Sequence, residues 1–130
     1  MSSIFSKIIQ GAIPCYKIAE SDDFIAFLDV FPIVKGHVLV VPKIEIDNLF
    51  DLPDEVLAKW FLFAKPIARA IEKTFPCNRC GLSVIGLEVP HAHMHLVPIN
   101  SADDLNFTRP KIKLSSEDFK EIQNRIVDNI

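Results

Sequence analysis

Three histidines stand at strict two-residue spacing in His91-Ala92-His93-Met94-His95, inside an apolar run that continues through Leu96-Val97-Pro98-Ile99. A β-strand turns alternate side chains to opposite faces, so the spacing predicts three imidazoles on one face and Ala92, Met94 and Leu96 on the other. Imidazole is the side chain best able to act as nucleophile, acid, base or ligand near neutral pH, and three in phase describe a reaction site rather than a core. Metal binding is the rival chemistry. The outer members of such a set lie about 13 Å apart along a strand, too far for zinc–nitrogen bonds of about 2 Å to gather all three. Cys77-Asn78-Arg79-Cys80 has a CxxC spacing, but no second ligand pair follows at finger spacing. No metal or cofactor is expected.

The whole chain narrows the setting. Its 130 residues, 49% of them apolar, suit one domain spanning 1–130. No run approaches the roughly 18 apolar residues of a membrane span, and the N-terminal segment lacks the charged start and long apolar stretch of a signal peptide. Three cysteines without framework spacing fit a reducing compartment, so the expected location is the cytoplasm, with no membrane partner. The net charge is −3, with the basic residues scattered singly. A nucleic-acid polymer needs a basic stripe, so no such partner is expected.

Around the histidines, the pattern predicts an α+β fold. Ile4-Phe5-Ser6-Lys7-Ile8-Ile9 has helical spacing and stops at Gly11, which predicts a helical turn or two. Tyr16-Lys17-Ile18-Ala19 and Phe24-Ile25-Ala26-Phe27-Leu28 flank a turn-type cluster and read as a hairpin. His37-Val38-Leu39-Val40-Val41 reads as a third strand buried on both faces. Asp51 is a possible cap, with Pro53 early in the first turn, for a long helix carrying Leu57, Trp60, Phe61, Ala64, Ile67, Ala68, Ile71 and Phe75, which Pro66 should kink. Leu82-Ser83-Val84-Ile85 and the segment from His91 to Val97 supply two further strands, joined through Gly86. Ser115 and Asp118 form a capping box for a C-terminal helix carrying Phe119, Ile122 and Ile126, with Leu114 stapled onto Phe119. The sum is an antiparallel sheet of about five strands with one long central helix and a C-terminal helix.

The run His91-Ala92-His93-Met94-His95-Leu96-Val97-Pro98 resembles the signature of the histidine triad family of nucleotide hydrolases and transferases. The N-terminal half is similar independently: Ile4 to Ile9, Ile13-Pro14, Phe27-Leu28-Asp29-Val30, Pro32 and Gly36 to Lys43 match segments of the branch that holds purine nucleoside phosphoramidases. The resemblance implies that His93 attacks the α-phosphorus of a purine nucleoside phosphate derivative and becomes a transient nucleotidyl-histidine. His95 would contact the phosphate and leaving group, and His91 and His37 would orient the cluster and share its protons. Asp29 would accept the ribose hydroxyls, and Phe5, Ile8, Phe27 and Val30 would wall the purine slot. Gly86 and Glu88 fall in the loop that serves the nucleotide.

The chain also departs from that pattern. Gly86-Leu87-Glu88 stands where well-known members place Gly-Gln-Ser or Gly-Gln-Thr. A Glu88 carboxylate would repel phosphate unless it points away or pairs with an imidazolium, whose pKa it would then raise. Some members bind a structural zinc through two cysteines and a histidine at places that hold Ser3, Ser6 and Glu45 here. A dinucleoside polyphosphate hydrolase, a nucleotidyltransferase and a weakly active nucleotide-binding interaction module are the alternative functions. A homodimer is expected from the resemblance, and because Trp60, Phe61 and Phe63 cannot all face one small sheet.

Overall fold

The computed structural model describes residues 2–130. The β-branched run Val38–Pro42 (β3) forms the middle strand of a five-stranded antiparallel sheet, and all of its residues are buried. On one side it pairs with Phe24–Leu28 (β2), which forms a hairpin with Lys17–Glu20 (β1). Ser21 closes that hairpin, its hydroxyl accepting from the Phe24 N–H. On the other side β3 pairs with Met94–Ile99 (β5), which pairs in turn with the edge strand Arg79–Ser83 (β4). The strand order is β1-β2-β3-β5-β4.

One face of the sheet is the main core. Ala26, Leu28, Val38, Val40, Ala92, Met94 and Leu96 pack there against the long helix Asp54–Thr74 (α2) and the C-terminal helix Ser116–Asp128 (α3). Trp60 is fully buried, and its indole N–H donates to the Val40 carbonyl at 3.2 Å, so its one polar group is satisfied. The Ser115–Asp118 capping box of α3 is present as expected, an arrangement worth about 1 kcal/mol. The opposite face carries Ile25, Phe27, Leu39 and Val41, covered by Phe5 of the short helix Ile4–Ile9 (α1). β3 is buried on both sides because helices lie over both faces of the sheet.

Four expectations need correction. The strand expected over Leu82-Ser83-Val84-Ile85 is Arg79–Ser83, so Val84 and Ile85 lie beyond its end. α2 begins at Asp54 with Pro53 at its cap, not Asp51, because Asn48 caps a separate 3-10 turn over Leu49–Asp51 and Leu52 then runs extended. Phe61 lies outside the buried stripe at 46% exposure, since one residue step from Trp60 is about 100° of rotation. The strand holding the histidines begins at Met94 rather than His91. The reason is hydrogen bonding: the His91 N–H donates to Val89 and the Ala92 N–H to Ile46, and neither joins the β3 ladder. α2 runs unbroken through Pro66. No helix among the described residues is long and apolar enough to cross a membrane.

Candidate active site

The side-chain alternation survives the late start of β5. Ala92, Met94 and Leu96 enter the core under α2, while His91, His93 and His95 face the side covered by α1. Register places His95 in one row across the sheet with Phe27, Leu39 and Ser83. His37 precedes β3 and is delivered by Gly36, whose φ is +98° and where a Cβ would meet the Phe75 ring at 2.6 Å. Only glycine fits there. All four histidines are buried, and the partners of each ring decide where its proton sits.

Nε2 of His91 lies 2.7 Å from the Pro42 carbonyl, which can only accept, so Nε2 carries the hydrogen. Its Nδ1 then takes the Ser3 hydroxyl proton at 2.7 Å. Ser3 Oγ accepts from the Ser6 N–H, and one oxygen of Glu45 accepts from both the Ser3 N–H and the Ser6 hydroxyl. The Ser3 N–H and the Ser6 hydroxyl hold the Glu45 carboxyl down at about 2. This network ties the start of α1 to the triad and sets the Phe5 ring edge-on to His93, with centroids 4.9 Å apart.

Nδ1 of His93 lies 2.7 Å from the carbonyl of His91, so Nδ1 holds the hydrogen and Nε2 holds a free lone pair. Burial lowers the His93 pKa below the usual histidine value, against the opposing pull of the His91 carbonyl and the charges of Asp29 and Glu88. His37 and His95 form a relay. The Ile33 N–H donates to Nδ1 of His37 at 3.3 Å, so the His37 hydrogen is on Nε2, which donates to Nδ1 of His95 at 2.9 Å. His95 therefore presents an Nε2–H. Burial pushes both pKa values down to about 3. The cluster thus offers one nucleophilic lone pair beside one fixed donor, with ring centroids 5.0 Å apart.

Among the described residues, one group of ligating side chains converges closely enough for an ion: Asp29, His37 and His95, with ligand atoms within 4.8 Å. The hydrogen bond from His37 to His95 already occupies both facing nitrogens, so a cation there would have to displace that proton.

The other expected residues divide. Phe5 and Phe27 are buried together with Ile8 at their edge, forming an apolar wall beside His93. Asp29 sits at the histidines, one carboxylate oxygen 3.5 Å from Nε2 of His37 and the other accepting from the Phe31 N–H. Val30 is half exposed beside it. Glu88 is exposed and makes no side-chain hydrogen bond or ion pair among the described residues. Gly86 lines a hollow of about 360 Å³ with Leu49, Phe50, Ile85 and Leu87, and none of the four histidines reaches it. Phe107 was missed: its ring lies 4.5 Å from His95 and 5.9 Å from His37. A lone aromatic in a polar stretch between a strand and a helix was the available signal.

The HIT domain family model matches residues 10–102. The chain belongs to the HIT family. It is 34% identical to the adenosine 5′-monophosphoramidase hnt1 of Schizosaccharomyces pombe over 132 residues, covering 100% of this chain and 99% of that protein. Among solved structures, a Hit-like protein from Bartonella henselae superposes with a TM-score of 0.87 at 29% identity, over 99% of this chain and 96% of that one. A zinc-bound histidine triad family protein from Mycobacterium smegmatis gives a TM-score of 0.81 at 28% identity, over 98% and 95%. The places that the family resemblance assigns to zinc do not fit the metal here. Ser3 and Ser6 offer hydroxyls instead of thiolates, and their protons, the Glu45 carboxylate and Nδ1 of His91 are consumed by one another.

Proposed function

We propose that this HIT protein hydrolyses a purine nucleoside phosphate derivative of the phosphoramidate type at its α-phosphorus, through a covalent nucleotidyl-His93. The observation that carries this reading is the hydrogen bond from Nδ1 of His93 to the His91 carbonyl, which leaves Nε2 free beside the Nε2–H of His95. The Nε2 lone pair forms the N–P bond as the bond from phosphorus to the leaving group breaks in line. The departing nitrogen takes one proton, delivered from solvent through Nε2 of His95. Water then attacks phosphorus, returns one proton by the same route, and releases the nucleoside monophosphate, leaving every imidazole in its starting tautomer. Between these two transfers the Nε2–H of His95 donates to a phosphate oxygen. The phosphoramidase activity named for the Schizosaccharomyces pombe relative supports this substrate class. Rapid quenching of the protein with adenosine 5′-monophosphoramidate should trap an adenylyl group on the peptide containing His93. Turnover without any such adduct would overturn the covalent route.

Phe5, Ile8 and Phe27 supply the base slot and Asp29 the ribose contact. Asp29→Ala should weaken ribonucleotide binding by about 1.5–3 kcal/mol, the scale of a hydrogen bond to a charged group. Binding of 2′-deoxy nucleotides should suffer much less. Loss of the Phe31 N–H contact affects both equally, so the difference, measured by calorimetry, isolates the diol. Equal losses would leave Asp29 as a turn residue.

The protein acts as a homodimer in this proposal. Phe61 and Leu62 on α2, Leu82 on the edge strand β4, and Ile85 and Leu87 just beyond it are exposed, and an edge strand beside apolar surface invites pairing. Sedimentation equilibrium at micromolar concentration should give twice the chain mass of 14.7 kDa. A monomer would refute it.

A further inference from the structure

Four rings stand in sequence across the site: Phe5, His93, His95 and Phe107, with successive centroids 4.9, 5.0 and 4.5 Å apart. The first end belongs to the apolar wall formed with Phe27, and the last end is built by the segment between β5 and α3. That segment is held in shape by its own hydrogen bonds. Asp104 accepts from the N–H groups of Asn100 and Ser101 and from Arg109, Asn106 accepts from both the N–H and the hydroxyl of Thr108, and the Ile112 N–H donates to Pro32. Phe107 is therefore placed against His95 and His37 by a fixed strap.

Lys111 completes that end. Its ammonium donates to the Phe107 carbonyl at 3.2 Å and lies 5.9 Å from the centre of the Phe107 ring. It has no carboxylate partner among the described residues, whereas Lys17, Lys43, Arg69 and Arg109 each have one. Its charge reaches both His37 and His95, where it adds to burial in disfavouring their protonation. The four imidazoles are hydrogen-bonded as neutral rings, and the nearest full charge is the Asp29 carboxylate. A phosphate-bearing substrate needs a cation here, and Lys111 is the one at hand.

The geometry points to a leaving-group subsite formed by Phe107 and Lys111 that takes an anionic group, a carboxylate or phosphate, carried by the departing part of the nucleotide. The inference rests on the proposed attack by His93: in-line displacement sends the leaving group away from Nε2 of His93, and with the nucleoside at Phe5 it leaves past His95 toward Phe107. Phe107 provides a face for the chain of the leaving group, and the Lys111 ammonium meets its charge. No covalent step beyond the proposed hydrolysis is needed.

The test compares kcat/KM for adenosine phosphoramidates of β-alanine and of β-alanine amide, which differ in one charge on the leaving amine, with ADP as the phosphate-bearing arm. Wild-type protein should favour the carboxylate over the amide by about two- to fivefold, the scale of an ion pair with an exposed ammonium. Lys111→Gln should bring that ratio close to one, Lys111→Arg should keep it, and Lys111→Glu should invert it. Loss on ADP alone would assign the subsite to phosphate, and loss on the β-alanine compound alone to a carboxylate. A wild-type ratio near one, or equal loss on charged and neutral compounds in Lys111→Gln, would overturn the subsite and leave Lys111 as a tie holding the strap. Failure to turn over either phosphoramidate would instead overturn the hydrolytic reading itself.

Discussion

His93→Gly should lower turnover of the best substrate by more than about a thousandfold, the usual scale for deleting a covalent nucleophile. The variant should also form no adenylylated protein. The size of the effect follows from the protonation pattern. Of the four imidazoles, His91 has both nitrogens engaged, and His37 spends Nδ1 on the Ile33 N–H and Nε2 on His95. His95 presents a hydrogen rather than a lone pair. Only Nε2 of His93 is left with electrons to give, so no neighbour can take over the attack. Nucleotide binding should persist within a few-fold, because the base wall of Phe5 and Phe27 and the Asp29 carboxylate are built by other segments. Steady-state rates, intact-protein mass after quenching and nucleotide titration check the three claims. A variant retaining several per cent of wild-type turnover would remove His93 from the role of nucleophile.

What could be read from the sequence was whatever depends on local periodicity. The two-residue spacing placed three imidazoles opposite Ala92, Met94 and Leu96, and that held even where the backbone of His91 to His93 leaves the ladder: Ala92 still enters the core with Met94 and Leu96. The Ser115 box, the hairpin and the buried third strand are likewise local. Contacts made across the fold were not legible. Nothing in the neighbourhood of Phe107 or Lys111 announces that a strap folded by Asp104 and Asn106 will carry them to His95, about a dozen residues upstream. The Asp51 cap failed for a related reason: Asn48, three residues earlier, competes for the same role and wins by capping a tight turn of its own. The separate hydrogen-bond clamp of Ser3, Ser6 and Glu45 on His91 joins residues far apart in the sequence, and only the fold shows how they share protons.

Activity and stability should both decline on the acid side. Burial holds the His93 pKa below its ordinary value of 6.5, so the nucleophile stays neutral as the pH falls through 6.5, and the acid limb of kcat/KM should lie below that pH. His37 and His95 are pushed down to about 3. In the unfolded chain they bind protons near 6.5, while in the fold they do not until about 3, so the unfolded state holds more protons throughout that window. Stability is then fully present above pH 6.5 and is lost progressively toward pH 3, at up to about 1.4 kcal/mol per pH unit for each excluded proton. Denaturant unfolding between pH 7 and pH 4 should show this slope, and a flat profile would mean that the relay from Ile33 through His37 to His95 does not keep these rings neutral. Glu88 tests the local field. Its carboxylate favours the protonated form of His93 but is exposed, so Glu88→Gln should move the acid limb only slightly to lower pH, as solvent screening requires. A limb that moved to higher pH would contradict the sign of that interaction, and a shift of a full unit would place the Glu88 side chain against the triad in the working enzyme.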